Sequence, residues 1–269
     1  MDEETATTGF HRAALIIAHP GHELRVHHWL ELAAPLTFVL SDGSGSAGKS
    51  RLPSTTRVLA ACGARPASLY GRFTDAALYE ALLDRRFDVF QEIVEEFATA
   101  FRDEGIQTVV GDAVEGYNPV HDACRILINT AVALVNRTRE RPMANFDFLL
   151  VGPPNECSAS LRSQAVRIEL DEAAFGRKLA AARAYAELAQ ELDSALGRNG
   201  DDAFRVEVLR PAALEFETRW QAAPFYERFG EQQAAAGKYA RVLRYEEHLR
   251  PLEMECARLA AGTAAAPAA

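Results

Sequence analysis

The stretch ALIIAHPGHELRVHHW, residues 14–29, holds four of the chain's seven histidines within ten residues. An apolar run stops at His19, Pro20 and Gly21 turn the chain, and His22 follows. A strand-to-helix turn of that length lets both imidazoles face one crevice. Neutral imidazole is the commonest protein metal ligand. A catalytic zinc takes three protein ligands and keeps a fourth position for water, whose pKa it brings to about 7. The third ligand on offer is His121, in GDAVEGYNPVHDACR, after one strand-like run and at the start of a helix-like one. Asp42, Asp112 and Glu115 fall near the same strand ends, where a carboxylate would orient a ligand or take a proton. The alternative reading keeps these histidines as solvated or structural loop residues. His27 and His28 are neighbours on a helix, point in different directions and are read as packing or surface residues. His11 and His248 have no supporting pattern.

These residues need elements to position them, and the first half of the chain supplies an alternation. AALIIAHP, PLTFVLSDG, ARPASLYG, IQTVVGD and FDFLLVGP are apolar or branched runs that suit strands. HELRVHHWLELAA carries apolar residues at Leu24, Val26, Trp29, Leu30 and Leu32, which suits an amphipathic helix. STTRVLAACG predicts a capped helix stopped by Gly63, residues 74–104 one or two helices ending at Gly105, and VHDACRILINTAVALVNR a long helix. The expected fold is α/β: a Rossmann-like, mostly parallel sheet with helices on both faces, plus a C-terminal helical extension. Ligands of such sheets sit beyond the carboxyl ends of the strands, where residues 19–23, 42–51 and 112–121 fall. In the second half, DEAAFGRKLAAARAYAELAQELDSAL predicts one long helix and FRVEVLRP a strand, possible at an edge. Trp29, Trp220 and Tyr226 suit a core or a pocket wall. The expected organisation is a disordered N-terminus over residues 1–10, one domain over 11–258 with its extension from about 200, and a disordered tail over 259–269.

Composition narrows the partners. The chain has 269 residues, 48% of them hydrophobic and 25% charged, with net charge −9. That balance argues against nucleic acid, whose phosphates it would repel. No apolar run approaches the ~20 residues of a membrane span, and the acidic start MDEETATTGF resembles no export signal. Four scattered cysteines suit reduced thiols in a cytoplasm. A small-molecule substrate is the expected partner; the aromatic C-terminal segment leaves room for a homo-oligomer. Arg51, Arg57, Arg65 and Arg72 follow the second strand and permit an anionic or sugar-like ligand, although solvated arginines explain them as well. GSGSAGKS, Gly43–Ser50, matches the phosphate-loop pattern G-x-x-x-x-G-K-[ST] and follows a strand. Pro53 sits where the helix after Lys49 and Ser50 should run, and only a first turn tolerates proline. A Gly/Ser loop accounts for the composition.

Ala18-His19-Pro20-Gly21-His22-Glu23, Ser41-Asp42-Gly43 and Asn118-Pro119-Val120-His121 together resemble the LmbE-like (PIG-L) family of zinc-dependent N-deacetylases, over roughly residues 12–190. There the first strand ends in Ala-His-Pro-Asp-Asp-Glu, the second in Thr-Asp-Gly, and a later one is followed by His-Pro-Asp-His. The resemblance implies metal binding by His19, His22 and His121, with a histidine replacing the family's carboxylate ligand. It implies a substrate-holding role for Arg51, with Asp42 and Tyr117 beside the substrate, and makes the Gly/Ser loop a substrate-side loop. The family's base is Gly21 here, and its oxyanion-steadying histidine is Asn118. Asparagine can donate to an oxyanion but cannot shuttle a proton. The expected enzyme is therefore a Zn²⁺-dependent hydrolase of an amide or related C–N bond. Asn118 assists the oxyanion, Asp112 or Glu115 replaces the base, and Glu23 orients a ligand; another divalent transition metal would also suit imidazoles. Two other readings stay open: a metal- or ligand-binding protein without hydrolysis, and a nucleotide-dependent enzyme using Lys49.

Overall fold

In a computed structural model of the chain, residues 10, 12–45, 48–212, 220 and 222–262 are described. The first strand explains the architecture. β1 (Ala13–Ile17) is buried at every residue, and its side chains alternate between two cores. Ala14 and Ile16 join one apolar cluster, and Ala13, Leu15 and Ile17 the other. A strand apolar on both faces belongs inside a sheet covered on both sides. β2 (Leu36–Ser41) and β4 (Thr108–Asp112), also buried throughout, pair with it in parallel. β3 (Arg65–Phe73) lies outside β2, and β5 (Ala144–Phe148) lies outside β4, both parallel. The seven-stranded order is β3-β2-β1-β4-β5-β7-β6.

β7 (Val206–Pro211) is not an edge. It runs antiparallel to β5 and takes β6 (Val166–Glu169), a strand the periodicity did not signal, on its outer side. Four residues of alternating Val, Arg, Ile and Glu are too short to register as a strand.

The turn after β1 is a 3₁₀ segment, His22–Val26, leading into α1 (His27–Ala33). The Glu207 carboxylate on β7 accepts from the His28 and Trp29 N–H groups at the start of α1, and Lys178 pairs with it at 2.8 Å. α2 (Leu52–Ala61) begins after the Gly/Ser loop, with Pro53 in its first turn. α3 (Asp75–Leu83) and α4 (Phe87–Asp103) follow β3. α5 (Pro119–Asn136) is buried nearly all round, its buried polar residues His121, Asp122, Arg125, Asn129 and Thr130 included. Arg125 ties it to the sheet through the carbonyls of Asp112 and Phe146 and the Asn145 side chain. Gly111 permits that approach, because a Cβ there would lie 2.6 Å from Ile128 Cδ1 and 3.1 Å from Arg125 Nη2 of α5.

The single long helix expected after Asp171 is two. α6 (Glu172–Arg183) stops, a connector with a 3₁₀ turn (Ala186–Leu188) intervenes, and α7 (Ala189–Asn199) continues. Tyr185 sits at the break. Its ring is buried, and its hydroxyl reaches Thr55 and the Arg51 carbonyl at the start of α2. α8 (Phe225–Ala235), a π-turn (Tyr245–Leu249) and α9 (Arg250–Ala261) complete the fold. Ordered structure passes the limits expected for the two ends. Phe10 packs edge-on to Trp29, and α9 runs to Ala261; residues 1–9 and 263–269 lie outside the described residues. Among the described residues no helix is long and apolar enough to cross a membrane.

Candidate active site

Strand order reverses between β1 and β4, the place where open parallel sheets hold their ligands. His19 leaves β1 there, His22 opens the 3₁₀ turn, and His121 sits in the first turn of α5. Their ring centroids are 5.4 Å (His19–His22), 5.0 Å (His19–His121) and 4.5 Å (His22–His121) apart. Three residues from two distant stretches thus form one cluster. His27 and His28 stay outside it: His27 packs against Cys62 and His28 pairs with Glu31.

Carboxylates stand behind two of the rings. His19 Nδ1 lies 2.8 Å from Asp75 Oδ1 and 2.7 Å from Ser41 Oγ. His22 Nδ1 lies 2.9 Å from Asp112 Oδ2, which also accepts from the Ala18 N–H. A carboxylate at Nδ1 fixes the proton there and leaves Nε2 with its lone pair. Burial lowers the His19 pKa despite the Asp75 hydrogen bond, and lowers that of His121 well below the ordinary value, aided by its histidine neighbours and Arg51. Burial alone would raise Asp75, but hydrogen bonds from His19, Ser41 and the Gly45 N–H hold it well below the usual carboxylate range. His19 Nε2 and His121 Nδ1 are buried and find no hydrogen-bond partner among the described residues. Neutral imidazoles with unused buried nitrogens suit a metal chemically. Among the described residues, however, no group of three or more His, Cys, Asp or Glu is already set to hold an ion; binding would have to draw the ring nitrogens together.

Not every residue expected at the site faces it. Asp112 is fully buried behind His22, with Oδ2 already shared. Glu115 turns away and accepts the N–H groups of Leu150, Val151 and Gly152. Both carboxylates make structural contacts and neither lines the cavity over the histidines, although Asp112 Oδ1 has no hydrogen-bond partner among the described residues. Glu23 touches none of the three rings. It is buried, burial raises its pKa, and Oε2 accepts the Gly21 N–H at 2.7 Å, bracing the turn. Asp42 caps the loop through the Ser44 N–H.

Arg51, Tyr117 and Asn118 do line the cavity above the cluster. Arg51 is anchored by Nε on the Gly43 carbonyl. Asn118 Oδ1 caps α5 at the Val120 N–H, and its side chain also meets the Tyr79 phenol, which burial raises. Arg57, Arg65 and Arg72 are not brought together: they pair with Ser54, Glu104 and Glu96.

Sequence reasoning missed Asp75 and Ser41. The one signal was Thr74-Asp75 at the end of the third strand, where Thr74 caps α3 by accepting the Ala77 N–H. It also missed Leu188, which covers Gly21. Gly21 has φ +108°, and a Cβ there would lie 2.3 Å from Leu188 Cδ1. In the phosphate-like loop, the Gly45 N–H donates to Asp75, so a carboxylate already stands where a phosphate would, and helix α2 starts only at Leu52.

Neither a family model nor a curated protein matches the sequence. Solved structures do. A teicoplanin-pathway deacetylase in a "bog" complex is 16% identical, covering 74% of this chain and 97% of its own, with a TM-score of 0.51. The conserved protein TT1542 from Thermus thermophilus is 18% identical over 79% and 99%, with a TM-score of 0.50. The A40926 pseudoaglycone deacetylase Dbv21 is 18% identical over 75% and 98%, with a TM-score of 0.47. At such identities the shared property is the fold.

Proposed function

We propose that the protein is a metal-dependent hydrolase of amide or related C–N bonds, of the deacetylase kind, with His19, His22 and His121 holding the metal. The observation that carries this reading is the cluster itself: three imidazoles with centroids within 5.4 Å at the carboxyl ends of neighbouring strands, two of them backed by buried carboxylates. Zinc bound there would supply Lewis acidity and a water that ionises near neutrality, at about pH 7. The chain's own groups have separate tasks. Asp75 and Ser41 orient His19, and Asp112 orients His22. The Asn118 amide donates toward an oxyanion at the cavity wall. Arg51 supplies a fixed positive charge to a substrate carboxylate, phosphate or sugar oxygen.

A second reading, a binding protein without hydrolysis, is favoured by one observation. Gly21 replaces a base, and Leu188 fills the space that a carboxylate would need. One experiment separates the two. Metal-free protein is titrated with zinc by calorimetry, and the loaded protein is assayed for amine release from a panel of N-acyl amines. The hydrolase reading requires about one equivalent bound, loss of binding in His19→Ala and His121→Ala, and amine release abolished by both variants. Zinc binding without amine release leaves the binding reading; absence of zinc binding overturns both.

A further inference from the structure

The cavity over the histidines is far larger than an acetyl group needs, at about 1050 Å³. One side of it is aliphatic and only half-buried, backed by the small Leu170, Ala174, Phe175 and Phe204 cluster and open on the cavity side. α7 buries none of its side chains. Yet Leu188, Leu192, Ala195 and Leu196 fall at the i, i+4, i+7 and i+8 spacing of a single helical face, and all four line the cavity. Leu179 and Ala182 of α6 line it from across the connector. The face begins at the reaction centre, because Leu188 abuts Gly21 between the two histidines. It is held there by the connector, whose Tyr185 and Glu187 bond Thr55 and Ser54 of α2. The two cations on this wall are engaged: Lys178 Nζ is 2.8 Å from Glu207, and Arg25 donates to the Leu150 carbonyl and lies over the Phe204 ring at 5.4 Å. Exposed aromatics also line the cavity, with Tyr117 stacked on Phe225 at 4.9 Å, and Arg51 lies beside the connector, its carbonyl accepting from the Tyr185 hydroxyl.

We infer that the substrate is an N-acyl amine with a long unbranched acyl chain, the chain lying along α7 and the amine portion against the aromatic wall. This rests on the hydrolase reading of the same site. From Leu188 to Leu196 the helix rises ~12 Å, the reach of a chain of roughly ten carbons.

The test uses acetyl, hexanoyl, decanoyl and tetradecanoyl amides of benzylamine with zinc-loaded full-length protein. Both the dissociation constant, by calorimetry, and kcat/KM are measured. Affinity and kcat/KM should rise about fourfold per methylene up to decanoyl and then level off. Leu192→Glu should flatten the series, and Ala195→Phe, which fills the lobe without adding charge, should move the plateau to a shorter chain. Circular dichroism checks that both variants fold. Acetyl and decanoyl amides handled equally would overturn the inference while leaving the hydrolase reading intact. Chain-length-dependent binding with no amine release from any amide would overturn the hydrolase reading and keep the lobe.

Discussion

Placing a carboxylate at position 21 should destabilise the protein for a reason outside the motif. The Gly21 backbone sits at φ +108°, a region that L side chains rarely adopt, which costs about 1–3 kcal/mol for any other residue. The new Cβ would lie 2.3 Å from Leu188 Cδ1, and displacing a packed side chain costs about 1–3 kcal/mol. The Glu23 carboxylate already holds the Gly21 N–H, so the added charge meets a like charge. Gly21→Asp alone should therefore destabilise by about 2–6 kcal/mol, adding the strain and overpacking costs. Leu188→Ala, which removes a half-buried side chain, should cost about 1 kcal/mol. Because Leu188→Ala removes the collision but not the strained φ, the double variant should be more stable than the sum of the singles by about 1–2 kcal/mol. Urea unfolding of the four proteins, with midpoints compared at constant m, measures that coupling. Additivity to within about 0.5 kcal/mol would show that Leu188 does not occupy the space above Gly21. The glycine at position 21 would then need a different physical cause.

Two further outcomes follow from the contacts around the site and the first helix. Asp75→Asn and Asp112→Asn keep the shape but remove the charge behind His19 and His22; each should weaken zinc binding about 10–100-fold, and unchanged calorimetric affinity would reject their orienting role. Glu31 is drawn from 4.5 down to about 2 by the Arg177 hydrogen bonds, against a smaller opposing effect of burial. A depressed carboxyl contributes stability that is present above the unfolded pKa and lost as pH falls from 4.5 toward about 2. Arg177→Ala should return the Glu31 carbon resonance titration toward 4.5 and cost about 0.2–1 kcal/mol at neutral pH; a titration left near 2 would show that Arg177 is not the cause.

What the sequence discloses depends on whether the cause is local. β1, β2 and β4 were legible because a strand buried on both faces must be apolar throughout, and such a run announces itself. His19, His22 and His121 were legible because strand ends at a topological switch point converge wherever the chain returns to the sheet centre. The roles of the carboxylates were not legible, because proximity to a strand end does not say which way a side chain turns. Asp112 and Glu115 flank the same loop as the histidines, yet one faces His22 from behind and the other caps the Leu150–Gly152 backbone. The break between α6 and α7 was hidden for a related reason. Alanine-rich sequence favours a continuous helix, and the helix stops where Tyr185 is buried against α2.

The same break ties the glycine at position 21 to the shape of the cavity. Once Tyr185 docks on Thr55, the connector sets Leu188 over Gly21, and α7 then leaves at an angle that turns Leu192, Ala195 and Leu196 toward the histidines. A side chain at position 21 and an apolar lobe starting at that point compete for one volume. Glycine is the residue that resolves the competition in favour of the lobe, since it has no Cβ and accepts the positive φ. Among the described residues, the carboxylates lining this cavity are Asp75, Glu80 and Glu191. Asp75 is committed to His19, so under the proposed hydrolase reading the lining carboxylates left for a proton are Glu80 of α3 and Glu191 of α7, and none is in the turn after β1.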